Sequence, residues 1–206
     1  TPFSKFELKG DKAFEELQRI CTANIKNEPG KCVYTQMLNN DGGIEADVTI
    51  VCLERNYFRI ISSAATRERD KFHINKNLTT NIELTDVTDK YCVFGLFGPK
   101  SRELISSISK EDFSNKNFKF ATGKKIKINN VETWVQRLSY VGELGYEIYV
   151  EFDKAVEIYS LLINEGKKYN ISNCGMHSLD IMRMENGFLH WGHDISPEEN
   201  QYQAGL

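Results

Sequence analysis

Hydrophobic and polar residues alternate near the start of the chain: in SKFELKG, Phe6 and Leu8 sit between polar neighbours, the two-residue period of a strand with one buried face. Gly10 and Asp11 punctuate the chain, and the period then lengthens so that Phe14, Leu17, Ile20 and Cys21 share one face of a helix. Three more strand-like runs follow, VYTQMLN, IEADVTIVCLE and YFRIISS, joined by an NNDGG turn and an ERN turn. Connections this short join antiparallel neighbours, so a meander is predicted. Within DGGIEADVTI, residues 41–50, Glu45 and Asp47 fall on one face and Ile44, Ala46, Val48 and Ile50 on the other. Gly42 and Gly43 are expected to let the backbone swing sharply into that strand. A polar helix is predicted over about 64–76.

The pattern then partly repeats. Strands are predicted at IELTDVT and YCVFGLFG, a helix opens with Pro99 in its first turn, and further strands are predicted at FKFATG, KIKI, VETWVQRLS and GYEIYVEF. Two helices follow, Asp153 to Lys168 with Asp153 as N-cap, and about Cys174 to Asn186. The closing GFLHWGHDISPEENQYQAGL has little periodicity and reads as irregular chain docked elsewhere. Strands and helices alternate without the regular beat of a parallel sheet, so the expected class is α+β, with largely antiparallel sheets and flanking helices. The repetition suggests two closely packed lobes, approximately 1–90 and 91–206.

Composition changes little in this picture and excludes several functions. With 206 residues, 40% hydrophobic and 27% charged, the chain is neither disordered nor collagen-like. A net charge of −3 provides no broad cationic field for a nucleic acid, and the short KKIKINN run reads as a lysine-protected hairpin edge. The longest clean apolar run, Tyr91 to Phe97, is far too short to cross a bilayer, and the start does not resemble a signal peptide. No membrane association is expected, and a cytoplasmic location is, or the mitochondrial matrix in a eukaryote. Five cysteines without a C-x-x-C spacing suggest neither a zinc ribbon nor a disulfide framework; Cys52 and Cys92 read as small buried hydrophobes. His190 and His193 lack an evident third ligand, so no metal site is expected. Neither G-x-G-x-x-G nor a P-loop occurs, and DGGIEAD lacks the mid-loop glycine and terminal glutamate of an EF-hand.

What remains is carboxylates in apolar strands: Asp47, and Glu147 in GELGYEIYVEF, where Tyr146, Ile148 and Val150 alternate against Glu147 and Tyr149. Two readings stay open on spacing alone. Either one face of each antiparallel sheet meets water and its polar residues carry no meaning, or the carboxylates and an aromatic line a cleft. There they would accept paired hydrogen bonds from a planar N–H edge and offset developing positive charge.

TPFSKFELKG, DGGIEADVTI, LFGPKSREL, SYVGELGYEIYV and GFLHWGHDISPEENQYQAGL together resemble the folate-binding aminomethyltransferase family. That family comprises the glycine cleavage T-protein and the folate domains of dimethylglycine and sarcosine dehydrogenases. The resemblance covers nearly the whole chain, and the W-G-H-D element is closer to the dehydrogenase-linked branch. It implies a tetrahydrofolate site in which Asp47, after the G-G turn, is the essential aspartate that polarises the attacking folate amine and steadies an iminium carbon. It implies that Glu147 grips the pterin amino group and ring N–H, with Tyr140 seven residues before it. Ile61 would pack on the pterin and Tyr34 line the same cavity. The implied reaction is transfer of a one-carbon unit to tetrahydrofolate from an N-methylated glycine derivative, as its iminium, or from an aminomethyl-lipoyl carrier. FAD is expected only on another domain or a partner, so a flavin dehydrogenase domain or a lipoyl carrier protein is an expected partner. A non-catalytic paralogue serving regulation or assembly, and a sulfonium-compound demethylase, are the alternatives. In IMRMEN the family's arginine is kept as Arg183, with Glu185 placed for a local ion pair, but Leu179 stands where the free T-protein commonly has a second arginine. The chain is expected to be a fragment of something longer that carries the family's C-terminal barrel; a flavin domain upstream would mark a dehydrogenase fusion, and its absence a free transferase.

Overall fold

The structure is a computed structural model that describes residues 3–206. The chain divides into two units: residues up to Thr88 together with Leu189–Leu206 form the first, and Asp89–Phe188 the second. The closing 18 residues, expected with the second lobe, thus belong with the first.

In the first unit β1 (Phe3–Lys9), β2 (Cys32–Leu38), β3 (Ile44–Glu54), β4 (Tyr57–Ser63) and β5 (Leu84–Asp86) form one sheet in the order β2-β3-β4-β1-β5. Every pairing is antiparallel, and β2, β3 and β4 form the expected meander. Helix α1 (Ala13–Ile20) follows β1, and α2 (Arg67–Asn77) follows a 3-10 turn after β4. The alternation places Phe6, Leu8, Ala46, Val48, Ile50, Phe58 and Ile60 on one face, in one core with Leu17 of α1 and Ile74 of α2. Each large side chain buried there contributes roughly 1.5–3 kcal/mol, which makes this face the main source of stability and pins the strand register. The register consequently fixes what stands on the other face. Lys5, Ile61, Thr49 and Tyr34 form one row across the sheet, and Gln36 stands opposite Asp47.

The turn before β3 follows a different logic from the expected swing. Gly42 does take a left-handed conformation, φ 84°, but a Cβ on Gly43 would lie 1.7 Å from the carbonyl oxygen of Pro197. Gly43 is therefore required for a close approach of the closing segment. Ile44 N–H donates to Glu199 O, and the Trp191 indole N–H donates to Ile44 O at 2.8 Å.

In the second unit β6 (Tyr91–Phe97), β7 (Gly123–Ile128), β8 (Val131–Gln136) and β9 (Gly145–Glu151) form an antiparallel sheet ordered β6-β9-β8-β7. One face, with Leu96, Ile126, Val135, Tyr146, Ile148 and Val150, packs with residues of α3 (Ser101–Ile108) and α4 (Ala155–Gly166). Helix α5 (Met176–Glu185) follows, and of its side chains only that of Arg183 is buried.

Several local expectations change. FKFATG is a run of turns: Phe118 is drawn into an aromatic cluster with Phe113 and Tyr146, and Ala121 takes a positive φ of 56° that no strand tolerates. IELTDVT shortens to three residues because the Asp86 carboxylate accepts the Thr88 N–H and turns the chain. Gly98, φ 120°, holds Pro99 in a turn, so α3 begins at Ser101. Asp153 lies in a 3-10 turn and does not cap α4, which starts at Ala155. Cys52 is buried, whereas Cys92 is only half-buried. Among the described residues no helix is long and apolar enough to cross a membrane.

Candidate functional site

Asp47 stands near the start of β3, on the face opposite the first core. Gln36 is its cross-strand partner and donates from Nε2 to Asp47 Oδ1 at 2.9 Å. The Tyr34 hydroxyl donates a second hydrogen bond to the same carboxylate. Burial pushes the Asp47 pKa above the usual carboxylate range, and the Gln36 and Tyr34 bonds only partly oppose it. Among the described residues no ion pair reaches this carboxylate. Ile61, 5% exposed, and Tyr34, half exposed, lie in the adjacent row of the same face. Three of the expected residues, Tyr34, Asp47 and Ile61, are thus brought together by the register of β2, β3 and β4.

Glu147 occupies the equivalent place in the second sheet. The open question of a solvated face is settled for β9: Glu147 is 7% exposed, and Tyr149, Trp134 and Gln136 beside it are buried too. Gln136, again the cross-strand partner, donates from Nε2 to Glu147 Oε2 at 2.7 Å, and the Tyr149 hydroxyl donates to the same oxygen at 2.9 Å. The Trp134 indole N–H donates to Gln136 Oε1 at 3.2 Å. Burial raises the Glu147 pKa against the lowering effect of the Tyr149 and Gln136 bonds, and among the described residues no ionic partner contributes. On the β6 side the neighbour is Gly95. The Phe97 ring lies over Gly95 and Gly145, within 2.5 Å of where a Cβ on either would be.

Tyr140 sits in the loop between β8 and β9, where its ring stacks on Phe188 with centroids 6.2 Å apart and planes 17° from parallel. Asn186 Nδ2 donates to Val141 O, and a Cβ on Gly142 would collide with the Asn186 side chain at 2.3 Å, so the end of α5 clamps this loop. The hydroxyl hydrogen-bonded to Glu147 is that of Tyr149, not of Tyr140.

Glu45, on the same face of β3 as Asp47, is tied to Arg69 of α2 at 2.7 Å, and the Arg69 guanidinium lies 4.8 Å over the Trp191 ring. Arg183 is buried and pairs with Asp180 rather than Glu185; its Nη1 donates to Phe188 O. The His190 and His193 rings are 4.4 Å apart, and among the described residues no three His, Cys, Asp or Glu side chains cluster as a metal would need.

The geometry is that of a chain with two sheets, each carrying a carboxylate held by neutral donors, and the sequence matches the family described as the GCVT N-terminal domain over residues 1–206. The chain belongs to that family. It is 38% identical, over its full length, to the 4-methylaminobutanoate oxidase (formaldehyde-forming) of Paenarthrobacter nicotinovorans, of which it covers 25%. It is 31% identical to the aminomethyltransferase of Halothermothrix orenii over 97% of this chain and 56% of that protein. Human mitochondrial dimethylglycine dehydrogenase is 29% identical over all of this chain and 24% of its own length. The chain therefore spans from about a quarter to just over half of the length of these relatives. The fold matches glycine cleavage system aminomethyltransferase T from Bartonella henselae with a TM-score of 0.84 at 20% identity, over 96% of this chain and 52% of that one. The α+β expectation with antiparallel sheets holds.

Sequence reasoning did not single out Gln36, Gln136, Trp134 or Phe97. A signal was present: Gln36 precedes Asp47, and Gln136 precedes Glu147, by the same 11 residues. An amide in an otherwise apolar strand needs a partner, and a carboxylate at matching register supplies one.

Proposed function

We propose that this chain is a folate-binding one-carbon transferase domain. The observation that supports this most directly is a buried carboxylate in each unit held, among the described residues, only by an amide and a hydroxyl, Asp47 by Gln36 and Tyr34, Glu147 by Gln136 and Tyr149. A buried anion without a cation is costly unless a ligand supplies further donors. The reduced pterin of tetrahydrofolate offers adjacent N–H donors on a flat edge, which suits Glu147, and Tyr140 contributes an aromatic wall. Bound tetrahydrofolate supplies the nucleophilic amine that accepts the one-carbon unit. Asp47 accepts a hydrogen bond from that amine and offsets positive charge at the incoming carbon, with Ile61 and Tyr34 as its packing surface. Positioning supplies most of the rate enhancement, and no covalent protein nucleophile is needed.

The one-carbon donor in this reading is the iminium of an N-methylated glycine derivative or an aminomethyl-lipoyl group. No flavin is assigned to these residues; oxidation of an N-methyl donor falls to a flavin-bearing domain or partner. Isothermal titration with tetrahydrofolate tests the proposal. Saturable binding is expected, reduced at least ~10-fold by Glu147→Ala, as for loss of a charged hydrogen-bond acceptor. Asp47→Asn is expected to retain binding and lose transfer. Unchanged binding in Glu147→Ala would remove Glu147 from the site.

A further inference from the structure

In Glu147 both protein hydrogen bonds converge on Oε2, and among the described residues none falls on Oε1. The donor amide is itself held. Gln136 Oε1 accepts from the Trp134 indole at 3.2 Å, while Gln136 Nε2 reaches both Glu147 Oε2 at 2.7 Å and the Tyr149 hydroxyl at 3.2 Å. Flipping the amide would set its oxygen against a carboxylate and its NH2 against an indole N–H, so both neighbours select one orientation. All four side chains are buried, which makes each of these bonds count for more than at a surface.

We infer that Gln136, oriented by Trp134, is a positioning residue that favours the carboxylate form of Glu147 and leaves Oε1 as the oxygen offered to the ligand. The inference deepens the folate reading and rests on it for the identity of that ligand. The chemistry follows from the donor set. An amide N–H stabilises the carboxylate form, which burial opposes, and cannot itself lose a proton near neutrality. With Oε2 engaged twice, an incoming N–H edge meets Oε1, bordered by Gly95 on the β6 side. Around Glu147 on β6, β8 and β9 the only titratable side chain within hydrogen-bonding distance is Tyr149; Glu151, further along the same face of β9, is exposed and lies 3.9 Å from Lys90. The first sheet shares one part of this arrangement, a cross-strand glutamine, Gln36, donating to Asp47.

Two measurements separate this inference from the folate reading. The first needs no ligand: the Glu147 carboxyl is titrated by 13C NMR in wild type, Gln136→Leu and Trp134→Phe, each first shown to be folded by its amide spectrum. Gln136→Leu is expected to raise the Glu147 pKa by about one unit, the loss of one charged hydrogen bond. Trp134→Phe is expected to raise it by less, since the amide remains but is free to turn. An unshifted Glu147 titration in Gln136→Leu overturns the positioning role, whatever the protein binds. The second is tetrahydrofolate affinity against pH. Gln136→Leu is expected to bind more weakly wherever Glu147 is titrating, with its binding limb moved up in pH by the same unit and the loss approaching roughly tenfold at pH values below both limbs, and Gln136→Glu to bind only as pH falls. A wild type that binds no folate defeats the proposed function and leaves the titration result to decide the role of Gln136. Folate binding in Gln136→Leu with wild-type affinity and pH profile overturns the inference alone.

Discussion

Gly145→Ala is a severe test of the packing that borders Glu147. On strand propensity alone the change should stabilise the protein, since glycine in a strand costs roughly 0.5–1 kcal/mol relative to alanine. The geometry predicts the opposite sign. An added Cβ would lie 2.3 Å from Phe97 Cδ1, 2.9 Å from Phe97 Cε1 and 3.1 Å from Leu138 O, where carbon pairs prefer about 3.5–4.0 Å. The ring has little room to move across the sheet, because its other edge lies 2.5 Å from the Cβ position of Gly95. Overpacking of this kind costs about 1–3 kcal/mol, so a loss near 2 kcal/mol is expected, a fall of roughly 4–8 °C in Tm. Urea unfolding of wild type, Gly145→Ala, Phe97→Ala and the double variant closes a cycle that isolates the clash. With the ring removed, the alanine should cost less than about 0.5 kcal/mol, only the Leu138 carbonyl contact remaining. The reasoning is refuted if Gly145→Ala is as stable as wild type, or if its cost is undiminished when Phe97 is absent.

Two further expectations concern the first unit. Asp70 of α2 is buried, accepts from the Thr66 hydroxyl at 2.6 Å, and burial raises its pKa to about 6. A folded-state pKa above the unfolded one means that its contribution is complete below about pH 4 and is lost as pH rises through 6. Asp70→Asn should therefore raise Tm at pH 8 and change it little at pH 4; an equal shift at both values by scanning calorimetry excludes the ionisation argument. Trp191→Phe keeps the ring under Arg69 but removes the N–H donated to Ile44 O, so a loss of about 1 kcal/mol in urea unfolding is expected. No loss would show that water replaces that bond.

Alternation made the strands legible, because a two-residue period over Phe6 and Leu8, or Ile44 to Ile50, has one physical outcome when a core must be covered. It failed at FKFATG, where Phe118 is buried by a cluster of residues distant in sequence and not by a sheet face. Asp47 was visible as a polar residue in an apolar strand, but its burial was not, since that depends on what lies over the face. The same holds for Glu147: periodicity alone left both a wet face and a buried one open. The glutamines escaped notice because a cross-strand bond joins residues by register, and register was not known from spacing. Gly43 was read as a flexible hinge; only the Pro197 carbonyl, 154 positions later, shows it to be a vacancy that another strand of chain fills.

The return of Leu189–Leu206 to the first unit makes Asp89–Phe188 an insertion within it. On a ribosome the inserted unit is fully translated before the segment that seals the first, whose DGG turn waits for Trp191, Pro197 and Glu199. The strand bearing Asp47 thus receives its last backbone partners after Glu147 and its glutamine have already been made. Synthesis imposes an order on the two carboxylates, the later-numbered one being first to have its whole unit available for folding.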